Sequence, residues 1–244
     1  MSLVAQNLAL AGRLADVSVG LNSGEVTAIC GPNGAGKSSL LACLAGLLRP
    51  DNGTVLSDGT SLTAIQPRER AQAIGYLPQQ GEVAWDLSVE TLTALGRLPW
   101  RTGAEADRAA VDAALTTLDL QRFRHRPVSQ LSGGEQARAL LARVLAGEPK
   151  WLLADEPLAN LDLAHQLALL AQFRRLATAG TGVVLVLHDL AHAMNHADRV
   201  VVLDSGRVAA DAPPDQALSA AVIARVWKVE ARWLGDAGQR ALST

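Results

Sequence analysis

Cysteine, aromatic residues and charge of a single sign are all scarce in this 244-residue chain. Its two cysteines, Cys30 and Cys43, sit in apolar stretches and read as small buried hydrophobes in a reducing compartment, not as a disulfide framework. Aromatics make up 3%, and the first along the chain is Tyr76. Acidic and basic residues are interspersed and nearly cancel, 24 against 22, so nothing points to a nucleic-acid footprint. No apolar run approaches the ~20 residues a membrane span needs, which leaves docking onto a membrane protein as the expected form of membrane contact. Residues 1–6 have neither a basic n-region nor an apolar h-region, so no secretory signal is expected. Internal repeats and low-complexity linkers are lacking too. With hydrophobic residues at 49%, the chain can still bury a substantial core, as one large or two small domains.

What is present is organised around Gly31-Pro32-Asn33-Gly34-Ala35-Gly36-Lys37-Ser38, which fits G-x-x-x-x-G-K-[ST]. A strand-like segment over 25–30 precedes it, and a helical pattern over 38–48 follows, stopped by Arg49-Pro50. In that context glycines let the backbone curl until successive N–H groups converge on phosphate oxygens, with a helix N-terminus behind them. Lys37 adds a point charge for β- and γ-phosphates, and the Ser38 hydroxyl is placed to ligate Mg²⁺.

Before the loop, residues 3–6 and 15–19 read as short strands. After it, residues 53–62 form a hairpin around Asp58-Gly59, 66–72 a short helix and 73–77 a strand. From 88 to 147 helical periodicity dominates, with Val111, Ala114, Leu115 and Leu118 spaced i, i+3, i+4, i+7. Apolar strands return at 150–154 and 182–187 around a helix over 165–177, as a buried parallel sheet requires. A hairpin at 200–209 and a helical tail over 215–229 close the chain. The expectation is α/β: a nucleotide-binding core (1–80 and 148–244) with a mainly parallel central sheet, an antiparallel β-subdomain and a helical subdomain inserted at 81–147.

Two further constellations bear on the loop. A strand ends in Asp155-Glu156, where one carboxylate can hold a Mg²⁺ shell and the other can orient or deprotonate water. Leu131-Ser132-Gly133-Gly134-Glu135 opens a helix and makes a second anion site. One γ-phosphate hardly needs two such loops from one chain, so the second is expected to serve a nucleotide held by another copy. His188 ends a strand where its side chain can face the γ-phosphate. Its 4, 4 spacing with His192 and His196 hints at a metal site, but Asp189 reads as a helix cap, and a solvated histidine pair is expected.

The order of Gly31–Ser38, Gln79, Leu131–Glu135, Asp155-Glu156, Asp162 and His188 closely resembles the ATP-binding subunit of ABC transporters, and the likeness covers essentially the whole chain. The resemblance implies the phosphate-loop NTPase fold and a head-to-tail homodimer sandwiching two ATP. Residues 31–38 with Ser39 would bind the phosphates, Ser38, Gln79 and Asp155 would hold Mg²⁺, and Glu156, His188, Gln79 and Lys37 would carry the chemistry. Ser132, Gly133 and Gly134 would reach the γ-phosphate in trans, and Asp162 would communicate across the interface. Gln79 would link the site to the helical subdomain.

Residues 95–101, Leu-Gly-Arg-Leu-Pro-Trp-Arg, and 227–231 are similar to the uptake ATPases for siderophores, haem and cobalamin. They imply an importer of metal chelates on the cytoplasmic face of a bacterial inner membrane, with integral-membrane permease subunits and, indirectly, a periplasmic binding protein. Trp85 and Trp100 would lie in the permease-docking groove. Two departures stand out: no aromatic precedes the first strands, leaving Arg13 to stack on adenine, and Ala159 replaces a common serine beside Asp162. The rival readings are an ABC ATPase with another substrate, a non-transport ABC ATPase, a small-molecule kinase and a regulatory module.

Overall fold

A computed structural model describes residues 1–79, 86–159 and 161–244. Strands β1 (Ser2–Leu10) and β2 (Leu14–Asn22) form a hairpin, and β3 (Val26–Cys30) leads into helix α1 (Lys37–Leu44). The hairpin β4 (Asn52–Ser57) and β5 (Thr60–Ser61) is followed by α2 (Pro67–Ala73) and β6 (Ile74–Leu77). Three helices come next: α3 (Val89–Ala94), α4 (Ala104–Thr117) and α5 (Gly133–Ala146). The chain then runs through β7 (Trp151–Asp155), α6 (Leu163–Thr178), β8 (Gly182–Val186), α7 (Leu190–His196), β9 (Arg199–Asp204) and β10 (Arg207–Ala212). It closes with α8 (Pro214–Ala217), α9 (Ala220–Trp227), β11 (Arg232–Leu234) and β12 (Ala241–Ser243).

The central sheet has the order β10-β9-β3-β8-β7-β6. All its neighbours pair in parallel except β10, which returns beside β9. Both faces are covered, which is why its strands are continuous apolar runs. Ala28, Leu152, Ala154, Val183 and Leu185 face a core shared with α4 to α7. The alternate residues Ile29, Trp151, Leu153, Val184 and Val186 face α1 and a second, antiparallel sheet of order β2-β1-β4-β5. Both tight hairpins turn on two residues of positive φ, Asp58-Gly59 and Ser205-Gly206, as a type I′ turn requires. The expected helical face of Val111, Ala114, Leu115 and Leu118 is buried in the first core.

Several boundaries differ from the sequence expectation. Helix α1 stops at Leu44, not near 48, because Gly46 (φ 67°) closes it. Gly46 N–H bonds to Cys43 O and Leu47 N–H to Ala42 O, both at 2.9 Å, the Schellman pattern. The tail is not one helix. Leu218 breaks it, its carbonyl accepting from Trp233 Nε1 at 2.6 Å, and the short β11–β12 hairpin lay outside the expectation. Among the described residues no helix is long and apolar enough to cross a membrane.

Candidate nucleotide site

The phosphate loop joins β3 to α1, and close backbone approaches fix its shape. At Gly31 (φ 151°) a Cβ would stand 2.2 Å from Leu203 O, and at Gly36 (φ 97°) 2.4 Å from Arg13 O. The β1–β2 turn and the β9–β10 turn are therefore pressed onto the loop, and backbone bonds Ala15 N–H to Gly206 O (2.8 Å) and Gly206 N–H to Ala35 O (3.1 Å) pin them there. Helix α1 starts at Gly36 with no side-chain cap and no acidic residue in its first turn, so its N–H groups remain available to an anion. Lys37 is buried, and its ammonium donates to Gly31 O at 2.9 Å and Pro32 O at 3.0 Å. Burial pulls its pKa down, against the field of Glu156, Cys30 and Asp155.

Ser38 Oγ donates to Asp155 Oδ1 at 3.1 Å. Asp155 closes β7 almost completely buried, and burial raises its carboxyl pKa, with the Ser38 bond acting in the opposite sense. These two oxygens are hard donors side by side, the chemistry that a Mg²⁺ ion selects. Glu156 follows in a left-handed conformation (φ 49°), sparsely populated for a residue with a Cβ and a place where functional sites store backbone strain. One carboxylate oxygen accepts from Gln79 Nε2 at 2.6 Å, and the other meets His188 Nε2. Three strand ends thus converge: β6 supplies Gln79, β7 supplies Asp155 and Glu156, and β8 supplies His188. Asp189 then caps α7, accepting from Ala191 N–H at 2.7 Å and His192 N–H at 3.3 Å.

Glu156, His188 and the loop residues Asn33, Lys37, Ser38 and Ser39 line one cleft of about 470 Å³, with Arg13 at its rim on the β1–β2 turn. Ser132, Gly133 and Gly134 are not among the described residues that line it. They open α5 in a reciprocal cap: Ser132 Oγ accepts from Glu135 N–H at 3.4 Å, and the Glu135 carboxylate accepts from Ser132 N–H at 2.8 Å. Asp162 caps α6, and hydrogen bonding from His165 lowers its pKa.

The solvated histidine pair is corrected. His192 is half-buried, with Nε2 3.2 Å from Gln166 Oε1, and burial depresses the pKa of His196. Trp100 lines a surface cleft of about 360 Å³ together with Glu90, Leu98 and Arg108. It is partly buried, its indole donates to Gly147 O at 3.1 Å, and the Arg97 guanidinium lies 4.7 Å from its ring centroid. Trp85 falls outside the described residues. Sequence reasoning missed the role of Arg97, which is buried and bonds Asp107 (2.9 Å), Glu148 (2.6 Å) and Ala146 O (2.9 Å). It also missed His165 and Gln166, whose only signal is an Asp cap followed three residues later by a histidine.

A glycine-lysine loop on a helix N-terminus, beside a buried carboxylate and a second one held by a glutamine and a histidine, defines a phosphate-loop nucleotide hydrolase. The ABC transporter family matches residues 14–159, and the chain belongs to it. It is an ATP-hydrolysing transporter ATPase. It is 46% identical over 216 residues to a hemin import ATP-binding protein of Rhodococcus jostii, covering 88% of this chain and 74% of that protein. The structure of cbiO1 of Clostridium perfringens, part of the ABC transporter complex cbiONQ, superposes with a TM-score of 0.81 at 27% identity, over 91% of this chain and 92% of that one. The ATP-binding cassette MJ0796, in a dimeric post-hydrolysis state bound to ADP and Pi, gives 0.78 at 27% identity, over 87% and 98%.

Proposed function

We propose that this chain drives a bacterial importer of metal chelates, with haem as the favoured cargo, from the cytoplasmic face of the inner membrane. The observation that carries the reading is the Glu156 carboxylate, held between Gln79 and His188 and facing the Lys37 loop across one cleft. The cargo reading is supported by relatives at 44–46% identity named for hemin import.

The loop N–H groups and Lys37 bind the β- and γ-phosphates, and Lys37 exchanges its two carbonyl contacts for phosphate oxygens. Ser38, Asp155 and the Gln79 carbonyl oxygen are the oxygens suited to hold Mg²⁺. When bound, that ion neutralises charge on the transferred phosphoryl group. Glu156 orients the attacking water and takes its proton, with its carboxylate aimed by Gln79 and His188. Two copies assemble head to tail, each lending Ser132, Gly133 and Gly134 to the γ-phosphate of the other. The dimeric MJ0796 cassette supports such an arrangement. The inserted segment 81–147, whose described part carries α3, α4 and α5, docks permease subunits, and a periplasmic binding protein delivers the cargo to them.

The test is phosphate release by the chain assembled with its permease in liposomes. Haem-loaded binding protein should stimulate it severalfold, and Glu156→Gln should abolish it with ATP binding retained. Stimulation by a ferric siderophore and not by haem would reassign the cargo. Phosphate transferred to an acceptor, instead of released, would make the chain a kinase.

A further inference from the structure

His165 takes no part in the chemistry above, yet it is held on two sides. Its N–H donates to Asp162 Oδ1 at 2.9 Å, and its ring Nδ1 lies 2.8 Å from the same oxygen. The ring rests on Gly134, where a Cβ would stand 2.8 Å from Cδ2, 2.9 Å from Cγ and 3.0 Å from Nε2. Gly134 has no positive φ, so this contact, and not backbone conformation, excludes a side chain there. Its neighbour Gly133 has nothing within 4 Å of the same point.

Gln166 continues the line in the opposite direction. Its Nε2 donates to Leu158 O at 3.3 Å, and its Oε1 meets His192 Nε2 at 3.2 Å. His192 sits in the first turn of α7, directly after His188 and its cap Asp189. Leu158, Gln166 and His192 line a second cavity, of about 230 Å³, whose wall is completed by Glu156 and His188. These last two residues therefore separate the nucleotide cleft from a chamber that opens onto the first turn of α6.

We propose that His165 and Gln166 are positioning residues that couple the Glu156–His188 pair of one nucleotide site to the Ser132–Gly134 corner the same chain presents to the other. The inference rests on the two-copy arrangement proposed above. The link is steric and local. A shift of α7 or of Leu158 on one side of the first turn of α6 moves the imidazole, and Gly134 has no Cβ to absorb the movement. Two packed elements that share a rigid helical turn respond together, and the coupling is reciprocal between the two sites.

The experiment is steady-state phosphate release against MgATP concentration for the full chain and three variants that divide the functions of His165. His165→Asn keeps a donor beside Asp162 but loses the ring. His165→Phe keeps the ring against Gly134 but loses the polar bond. His165→Ala loses both. Sigmoidal response is expected for the unaltered chain. His165→Asn and His165→Ala should become hyperbolic with half-saturation raised about 5–10-fold, while His165→Phe stays sigmoidal. Thermal midpoints separate this from unfolding, since His165→Asn retains the α6 cap. A sigmoidal His165→Asn, or a hyperbolic unaltered chain, overturns the link. Light scattering on Glu156→Gln with MgATP separates the two levels: if no dimer forms, the two-copy reading fails as well, and if one forms, only the link has failed.

Discussion

The amide of Gln79 and the carboxylate of Glu156 meet at 2.6 Å across the ends of two neighbouring strands. Gln79 comes just after β6 and Glu156 just after β7, and the parallel register Leu77 to Ala154 brings them level. With His188 on the other oxygen, each carboxylate oxygen of Glu156 holds one partner and keeps a lone pair for water, and its backbone lies in a left-handed turn. Glu156→Gln keeps the shape but removes the base. Phosphate release should fall by about 10²–10⁴-fold, with nucleotide binding unchanged in a filter or fluorescence assay. A change in affinity as large as the change in rate would instead make Glu156 a binding residue.

Burial, the largest influence on Asp155, raises its carboxyl pKa, and the Ser38 bond only partly offsets that. A carboxyl whose folded pKa lies above its unfolded one destabilises the fold once pH rises past both values. Below the unfolded value that cost is absent. Asp155→Asn should therefore melt at or above the temperature of the unaltered protein at pH 8, in the absence of nucleotide, while losing phosphate release. The benefit should fade as pH is lowered toward the carboxylate range. Calorimetry across pH checks the sign, and a lower midpoint at pH 8 would contradict it.

Two loop glycines should respond unequally to alanine. Gly34 (φ 79°) has open space where a Cβ would go, so Gly34→Ala meets only backbone strain, about 1–2 kcal/mol. At Gly36 the added methyl would also strike Arg13 O at 2.4 Å, which must displace the β1–β2 turn. Urea titration should find Gly36→Ala the costlier by a clear margin, and it alone should lose the hydrogen-exchange protection of that turn.

Arg97 bonds a carbonyl at the end of α5 and two carboxylates, and its plane covers Trp100. Arg97→Lys keeps the charge but not the fork, and should cost about 2–3 kcal/mol. The loss should appear as faster exchange in α4 and α5, with β3 and β8 unaffected.

Much of the fold and of the site is legible in the sequence. The phosphate loop, the mainly parallel central sheet and the Asp155-Glu156 strand end follow from apolar runs bounded by motif residues, because a doubly covered parallel sheet leaves that pattern. Helix ends are less legible. Gly46 signalled the end of α1, but a propensity reading runs on through Leu47 and Leu48 to Arg49-Pro50. The break at Leu218 depends on an indole fifteen positions later in the chain, a contact with no local signature. His192 and His196 look solvated in the sequence because single residues carry no record of what packs over them. The ring of His165 against Gly134 is likewise a tertiary fact.

The central claim is that two copies close over two nucleotides, the lysine loop of one facing the serine-glycine corner of the other. Its most direct measurement is the molar mass of Glu156→Gln in MgATP by light scattering, beside the same chain also carrying Ser132→Arg. The first should double in mass on adding MgATP and the second should remain single. A Glu156→Gln chain that binds MgATP yet stays monomeric, even with its permease present, would contradict the claim.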